Sequence, residues 1–98
     1  MENPSATTPE YTPILTVQKG CLRADGRALL LVRSGSPIEA VLEQSMILMD
    51  CMHALILDRE PRNKDLQTTA LQYLNDLTRA MVTASYEGVC AQKGAPQS

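Results

Sequence analysis

The sequence predicts a mainly α-helical fold: an antiparallel two-helix hairpin, preceded by a short β-hairpin or strand and completed by homodimerisation. Residues 37–59 and 62–87 both carry apolar side chains at the three-to-four spacing of amphipathic helices. The few residues between them favour antiparallel neighbouring helices. The chain has 98 residues, three Tyr and neither Phe nor Trp, so a single copy has little to bury and a second copy would complete the core.

The two ends of the chain look different from its middle. Residues 1–13 are polar and contain three prolines and no apolar run, which predicts a flexible N-terminal arm and no signal peptide. Residues 88–98 begin at Gly88 and have no periodicity, which predicts a flexible C-terminal tail. A single small domain is therefore expected over residues 14–87.

Residues 14–33 predict the β-structure. Two short apolar runs, 14–17 and 29–32, flank Asp25-Gly26, a dipeptide that favours a tight turn because Gly tolerates positive φ. Either a β-hairpin forms here, or one strand pairs with a second copy of the chain. An isolated hairpin is marginally stable in water, so the strands need the helices or a partner to pack on.

The first helix is predicted over residues 37–59. Ser36, Pro37 and Glu39 form a capping box, with Ser36 as the cap and Pro37 at the first helical position. About half of the helix surface is apolar, whereas a helix covering a small core needs about a third. The apolar positions fall in two adjoining stripes, Ile38, Leu42, Ser45, Met49, Met52 and Ile56 beside Val41, Leu48 and Leu55.

The second helix is predicted over residues 62–87, with Asn63 or Glu60 as its cap and Gly88 as its stop signal. Its polar positions are expected to face water. The expected buried stripe is Leu66, Ala70, Tyr73, Leu74, Leu77, Met81 and Ala84.

Composition argues against several classes of ligand. The net charge is −2 and the basic residues are scattered, so direct binding of nucleic acid is not expected. Asp50 and His53 interrupt the longest apolar segment, Met46–Leu57, which is shorter than the roughly 20 residues that span a bilayer, so no membrane segment is expected. Three widely spaced cysteines fit reduced thiols in a cytoplasmic protein better than disulfides or a zinc site.

No arrangement of residues predicts an enzyme, a metal site or a cofactor. His53 and Asp50 are three residues apart on the first helix and could form a general base with its carboxylate, but a solvated surface pair explains them better. Glu39 and Glu43 lack the Glu-x-x-His partner of a helical di-iron site. The sequence contains neither G-x-x-x-x-G-K nor G-x-G-x-x-G, the two glycine-rich motifs that bind phosphate groups.

The methionines of the first helix predict a protein-binding surface. Flexible, polarizable Met side chains adapt to irregular partner surfaces. The second helix can cover only one face of the first, so some of these apolar side chains should meet another chain. The predicted contacts are Met46, Ile47, Met49 and Leu57.

The segment from Leu30 to Ser45, with Val32-Arg33-Ser34-Gly35-Ser36-Pro37 followed by Glu39 and Leu42-Glu43-Gln44, resembles a family of small bacterial proteins catalogued as a domain of unknown function. The likeness covers about residues 29–85. The family includes a quorum-sensing antiactivator. The resemblance implies a homodimer that binds the ligand-binding domain of a LuxR-type transcription activator and blocks its dimerisation and DNA binding. A structural or assembly homodimer without such a partner is the alternative.

Overall fold

The computed structural model describes residues 13–94, and the side chains of residues 13–92. Two strands, β1 (Lys19–Ala24) and β2 (Arg27–Val32), precede two helices, α1 (Ile38–Leu57) and α2 (Lys64–Gly94). The predicted architecture of a two-helix hairpin after a short β-hairpin is therefore confirmed. Residues 1–12 and 95–98, which hold most of the predicted arm and part of the predicted tail, lie outside the described residues.

The β-hairpin turns at the predicted dipeptide. A type I′ turn requires positive φ at both of its central residues. Asp25 and Gly26 meet this requirement, with φ values of 54° and 76°. The two-residue turn sets the register, so that Ala24 pairs with Arg27 and Lys19 pairs with Val32. In this register, residues 29–32 lie opposite residues 19–22. The apolar run 14–17 is therefore not their partner.

The run 14–17 instead continues the hairpin beside residues 33–38. Leu15 forms a β-bridge with Pro37. Thr16 is buried and joins four hydrogen bonds in this ribbon. Its N–H donates to the Ser36 carbonyl (2.8 Å), its carbonyl accepts from the Gly35 N–H (3.0 Å), and its Oγ1 donates to the Arg33 carbonyl (2.7 Å) and accepts from the Ser36 N–H (3.0 Å).

The predicted capping box of the first helix is wrong. Pro37 occupies the N-cap position, one residue before the helix, and makes no side-chain cap bond. The Ser36 hydroxyl accepts a hydrogen bond from Arg33 Nε instead (3.1 Å). The Ile38 N–H donates to the Ile14 carbonyl (3.0 Å), so the hairpin supplies the acceptor that a capping side chain normally provides. The helix also ends two residues earlier than expected, at Leu57.

The second helix is longer than predicted. Asn63 caps its start, as one of the two expected caps, with Oδ1 accepting from the Leu66 N–H at 3.0 Å. Gly88 does not stop the helix, which continues to Gly94, so residues 88–94 are not a tail. A Cβ on Gly88 would lie 2.0 Å from the Leu15 carbonyl oxygen. This glycine therefore allows close approach of the chain and does not end the helix.

The helix α2 is the centre of the fold. It packs against α1 and against the hairpin, whereas α1 contacts neither strand. The hairpin lies over α2 from Asp76 onwards. Lys19 Nζ lies 3.4 Å from Glu87 Oε2, and the Leu22 N–H donates to Asp76 Oδ2 at 2.6 Å. Two residues of the predicted buried stripe, Leu66 and Tyr73, are exposed because they lie on the part of α2 before Asp76, which the hairpin does not reach.

Small side chains fill the space between the elements. Ser45 of α1 and Thr78 and Ser85 of α2 are buried, and each hydroxyl donates to the carbonyl four residues earlier in its own helix. These internal bonds satisfy hydroxyl groups that would otherwise be costly to bury. Among the described residues, the buried hydrophobic side chains are Cys21, Ala80 and Ala84 alone, so the core is small and most large apolar side chains remain at the surface.

Candidate interaction surface

The four residues predicted to contact a partner all lie on the exposed part of α1. The exposed fraction is 61% for Met46, 47% for Ile47, 48% for Met49 and 61% for Leu57. The side of α1 that meets α2 includes Ser45, which is 1% exposed and lies one helical turn from Met49. Within residues 13–94, neither strand contacts α1, so the β-hairpin covers none of these four side chains.

The four residues do not share one face of the helix. At about 100° per residue, Ile47 lies about 160° around the helix from Met49. Met49 instead continues the line of Leu42 and Ile56, each seven residues away. Met46 borders this line, and Leu57 lies on the Met46 side about three turns further along. The structure therefore brings Met46 and Met49 together, places Leu57 at the far end and places Ile47 on the opposite side.

Both helices contribute to the surface around Met49. Val82 and Tyr86 of α2 are 41% and 67% exposed, one helical turn apart, and they adjoin the exposed side of α1. We call this surface the interhelical face and define it by its exposed apolar residues: Leu42, Met46 and Met49 of α1, with Val82 and Tyr86 of α2.

Two cavities open along the interhelical face. The first, of about 290 Å³, is lined by Met49, Met52 and Val82 together with polar residues of α2 that include Arg79. The second, of about 190 Å³, is lined almost wholly by apolar atoms, with Leu42, Val82 and Tyr86 among its residues. Val82 belongs to both, so the two cavities form neighbouring parts of one surface. Concave apolar surface of this kind accepts the apolar side chains of another protein.

The polar groups of the interhelical face lie at its edges. Arg79, Asn75 and Thr83 border the first cavity. A hydrogen bond to Cys90 raises the pKa of the Tyr86 hydroxyl, and an ordinary tyrosine is already neutral at physiological pH. An apolar centre with polar groups at the rim is the usual composition of a protein–protein contact.

The residues considered for catalysis or metal binding are dispersed. His53, Glu43 and Asp50 are exposed on α1. Among the described residues there is no group of three or more His, Cys, Asp and Glu side chains placed to hold a metal ion. Cys51 and Cys90 are exposed, and Cys21 is buried beneath the hairpin. Burial, and then the negative charge of Asp76, raise the pKa of the Cys21 thiol, which disfavours its reactive thiolate form.

The helix α1 also meets the length and composition of a membrane-spanning helix. It has 20 residues, with a mean hydropathy of 1.4 over its most apolar window, and 11% of that window is buried. Core helices of soluble proteins meet the same criteria. Asp50 lies in the middle of α1, where a carboxylate at the centre of a bilayer costs about 3 kcal/mol. The sequence expectation of no membrane segment stays a prediction.

Sequence reasoning missed the contribution of α2 to this surface. Val82 and Tyr86 fall outside the stripe chosen as buried, and their four-residue spacing is the signal that marks a second apolar line on the helix. It also missed that Leu29, Leu30 and Leu31 of β2 are exposed together, at 66%, 47% and 58%. Three consecutive leucines in a strand alternate between its faces, so some of them are bound to face away from the helices.

Comparison with models of known protein families, with functionally described proteins and with solved structures gave no match for this chain. The resemblance to the antiactivator family therefore stays a prediction. The function is inferred from the surface of this chain.

Proposed function

We propose that this protein is a non-enzymatic, cytoplasmic regulator that forms a homodimer and binds another protein through the interhelical face. Its partner in this proposal is the ligand-binding domain of a LuxR-type quorum-sensing activator. Binding prevents the activator from dimerising, and the activator then releases its DNA. The protein acts in this proposal as an antiactivator.

The observation that carries the proposal is the apolar surface that both helices leave open. Met49 of α1 and Val82 and Tyr86 of α2 are all at least 41% exposed, and they line two adjoining cavities. Leaving a patch of this kind in water is unfavourable, at about 25 cal/mol for each Å² of apolar area. A partner that covers it recovers this free energy.

Charge and chemistry favour competition with a protein surface over competition with DNA. With a net charge of −2, the chain lacks the positive charge that binds DNA phosphates, so it does not compete with the activator for DNA. LuxR-type activators bind DNA as dimers, and an apolar competitor acts on them by occupying their dimerisation surface. The choice of this class of partner is supported by the sequence resemblance over Leu30–Ser45.

The test is titration of a purified LuxR-type ligand-binding domain with the full chain and two matched variants. Met49 and Ile47 are 48% and 47% exposed on the same helix, but only Met49 lines the interhelical face. We expect Met49→Glu to weaken binding about 30-fold or more, because it places a carboxylate in a desolvated apolar contact worth at least about 2 kcal/mol. We expect Ile47→Glu to change the affinity less than about threefold.

The second measurement follows the activator itself. Addition of the wild-type protein should convert the activator from dimer to monomer in light scattering and release a fluorescent operator DNA. Loss of affinity with Ile47→Glu but not with Met49→Glu would move the contact to the opposite side of α1. No binding by the wild-type chain would overturn the antiactivator function.

The alternative of a structural or assembly homodimer makes a different prediction. In that case a second copy covers the interhelical face, and Met49→Glu dissociates the protein into single chains without any foreign protein present. The low burial of α1 is compatible with this alternative. Light scattering of the Met49→Glu variant alone separates the two functions, because the antiactivator proposal predicts that it stays dimeric.

A further inference from the structure

The two cavities of the interhelical face follow one another along the groove between α1 and α2. On α1, Met49 and Met52 line the first cavity and Ile38 and Leu42 line the second, so their centres are about ten residues, or 16 Å, apart. On α2, the lining residues fall within 75–83 and 82–89, with centres about six residues, or 9 Å, apart. The separation of the cavities therefore lies between these two values, at about 12 Å.

This separation matches two turns of an α-helix. Residues i and i+7 of a helix point to the same side and lie about 10.5 Å apart. A helix that lies along the groove can therefore place one apolar side chain in each cavity. The residue at i+3 or i+4 then lies over Val82, which lines both cavities. An amphipathic helix binds in an apolar groove with this spacing of side chains.

The walls of the groove favour a helix over an extended segment. Both walls are α-helices, whose interior N–H and C=O groups already bond within their own helix. An extended segment in the groove would lose water from its backbone groups without gaining partners for them, which is unfavourable. A helix satisfies its own backbone groups and buries only side chains, so it meets no such cost.

Arg79 adds a charged position beside the first cavity. Its side chain is exposed and lines that cavity with Met49 and Val82. Within residues 13–92, no carboxylate forms an ion pair with Arg79, and the nearby Asp76 accepts the Leu22 N–H. A guanidinium can bind a carboxylate through two parallel hydrogen bonds, and Arg is common at the centres of protein contacts. The groove therefore complements a helix that carries Asp or Glu beside its apolar residues.

We propose that the interhelical face binds an amphipathic α-helix of its partner, with apolar side chains at i and i+7 in the two cavities and an Asp or Glu side chain on Arg79. This inference rests on the proposed function, because it names the part of the partner that the interhelical face recognises. It does not depend on which protein carries the helix.

Designed peptides test the helical partner, with binding to the full chain followed by fluorescence anisotropy. The amphipathic peptide is Ala-rich and has about 20 residues, enough to form a helix in water. It carries Leu at i, i+4, i+7 and i+11 and Glu on both flanks of this line. The control peptide has the same composition with Leu at every second residue, which is the period of a strand.

We expect the amphipathic peptide to bind at least about tenfold more tightly than the control peptide, because it alone presents apolar side chains to both cavities. Met49→Glu should abolish this binding, and Ile47→Glu should leave it within about threefold of the wild type. Equal binding of the two peptides, or no binding by either, would overturn the helical partner. Equal losses in the two variants would overturn its place on the interhelical face.

A charge swap tests the contact with Arg79. Arg27 is the matched control, because it is equally classed as exposed and lies on β2, away from the interhelical face. Arg79→Glu should weaken binding of the Glu-bearing peptide about tenfold or more, and a peptide with Arg in place of Glu should recover that loss. Arg27→Glu makes the same change in net charge and should alter the affinity less than about threefold. Equal effects of the two substitutions, or no recovery with the Arg-bearing peptide, would overturn the contact.

Light scattering of the peptide complex distinguishes a foreign helix from a second copy of the chain. The protein with bound peptide should keep the mass of two chains of 10.7 kDa each. Conversion into single chains would show that a second copy occupies the groove, and would overturn the proposal. The LuxR-type domain takes no part in these measurements. Peptide binding without binding of that domain would therefore refute the antiactivator function alone, and the reverse result would refute this inference alone.

Discussion

Substitution of Gly88 by Ala tests the close contact between α2 and the hairpin arm. In an ordinary helix, replacing Gly with Ala stabilises the protein by about 1 kcal/mol. At Gly88 the new Cβ would lie 2.0 Å from the Leu15 carbonyl oxygen and 2.9 Å from its carbonyl carbon. Both contacts are to backbone atoms, so no rotation of a side chain can relieve them.

The expected loss of stability in Gly88→Ala follows from the distance that the Leu15 backbone must move. The Leu15 backbone must move by about 1 Å, an overpacking that costs about 1–3 kcal/mol. The move also strains the neighbouring hydrogen bond from the Val17 N–H to the Ala84 carbonyl (3.1 Å), which contributes about 1 kcal/mol. After the helix gain of about 1 kcal/mol is subtracted, we expect a net loss of about 1–3 kcal/mol.

Urea denaturation followed by circular dichroism measures this loss. For a domain of this size it lowers Tm by roughly 5–20 °C. Ala91→Gly, at an exposed position of the same helix, is the control and should lower the stability by about 1 kcal/mol through helix propensity alone. A Gly88→Ala protein that is more stable than the wild type would refute the close contact and restore Gly88 as a helix-ending residue.

Three further predictions concern the hairpin. Thr16→Val keeps the shape of the buried side chain but removes both of its hydroxyl hydrogen bonds, so urea denaturation should show a loss of about 1–3 kcal/mol, and an unchanged midpoint would contradict the role of the hydroxyl. Asp76→Ala removes the acceptor of the Leu22 N–H, at a residue whose backbone φ is 56°. Hydrogen exchange of the Leu22 amide should then accelerate well beyond exchange of the helix amides. An exchange rate at Leu22 equal to that of the wild type would count against this contact. Cys21 is buried and its pKa is raised, so at pH 8 it holds less thiolate than an exposed thiol. Iodoacetamide should therefore alkylate Cys21 much more slowly than the exposed Cys51. Equal rates of alkylation would show that the hairpin does not cover Cys21.

Local sequence signals predicted the elements of this fold where the determining interaction is local. Asp25-Gly26 set the turn because its two positive φ values depend on those residues alone. Asn63 capped α2 for the same reason, through a bond to an amide three residues away.

The failures occurred where a distant segment replaces a local signal. Ser36 is a good capping residue, but the hairpin arm bonds Ile38 first, through the Ile14 carbonyl. Gly88 is a good stop signal, but it is a contact point for Leu15, more than seventy residues earlier in the chain. Neither long-range contact leaves a pattern in the neighbouring residues.

The sequence predicted the candidate site only in part. Periodicity indicated that α1 has more apolar surface than α2 can cover, and Met46 and Met49 are exposed together on one side. The sequence did not show which side of α1 would meet α2, because two adjoining apolar stripes cover about half of its surface. The packing of small residues at Ser45, Thr78 and Ser85 decides that orientation and so separates Ile47 from Met49.

The affinity of the full chain for a purified LuxR-type ligand-binding domain, compared between Met49→Glu and Ile47→Glu, tests the central claim most directly. The two variants introduce the same charge at equally exposed positions of one helix. The proposed function predicts that Met49→Glu weakens binding about 30-fold or more while Ile47→Glu binds within about threefold of the wild type. Equal affinities for both variants and the wild type would contradict binding through the interhelical face.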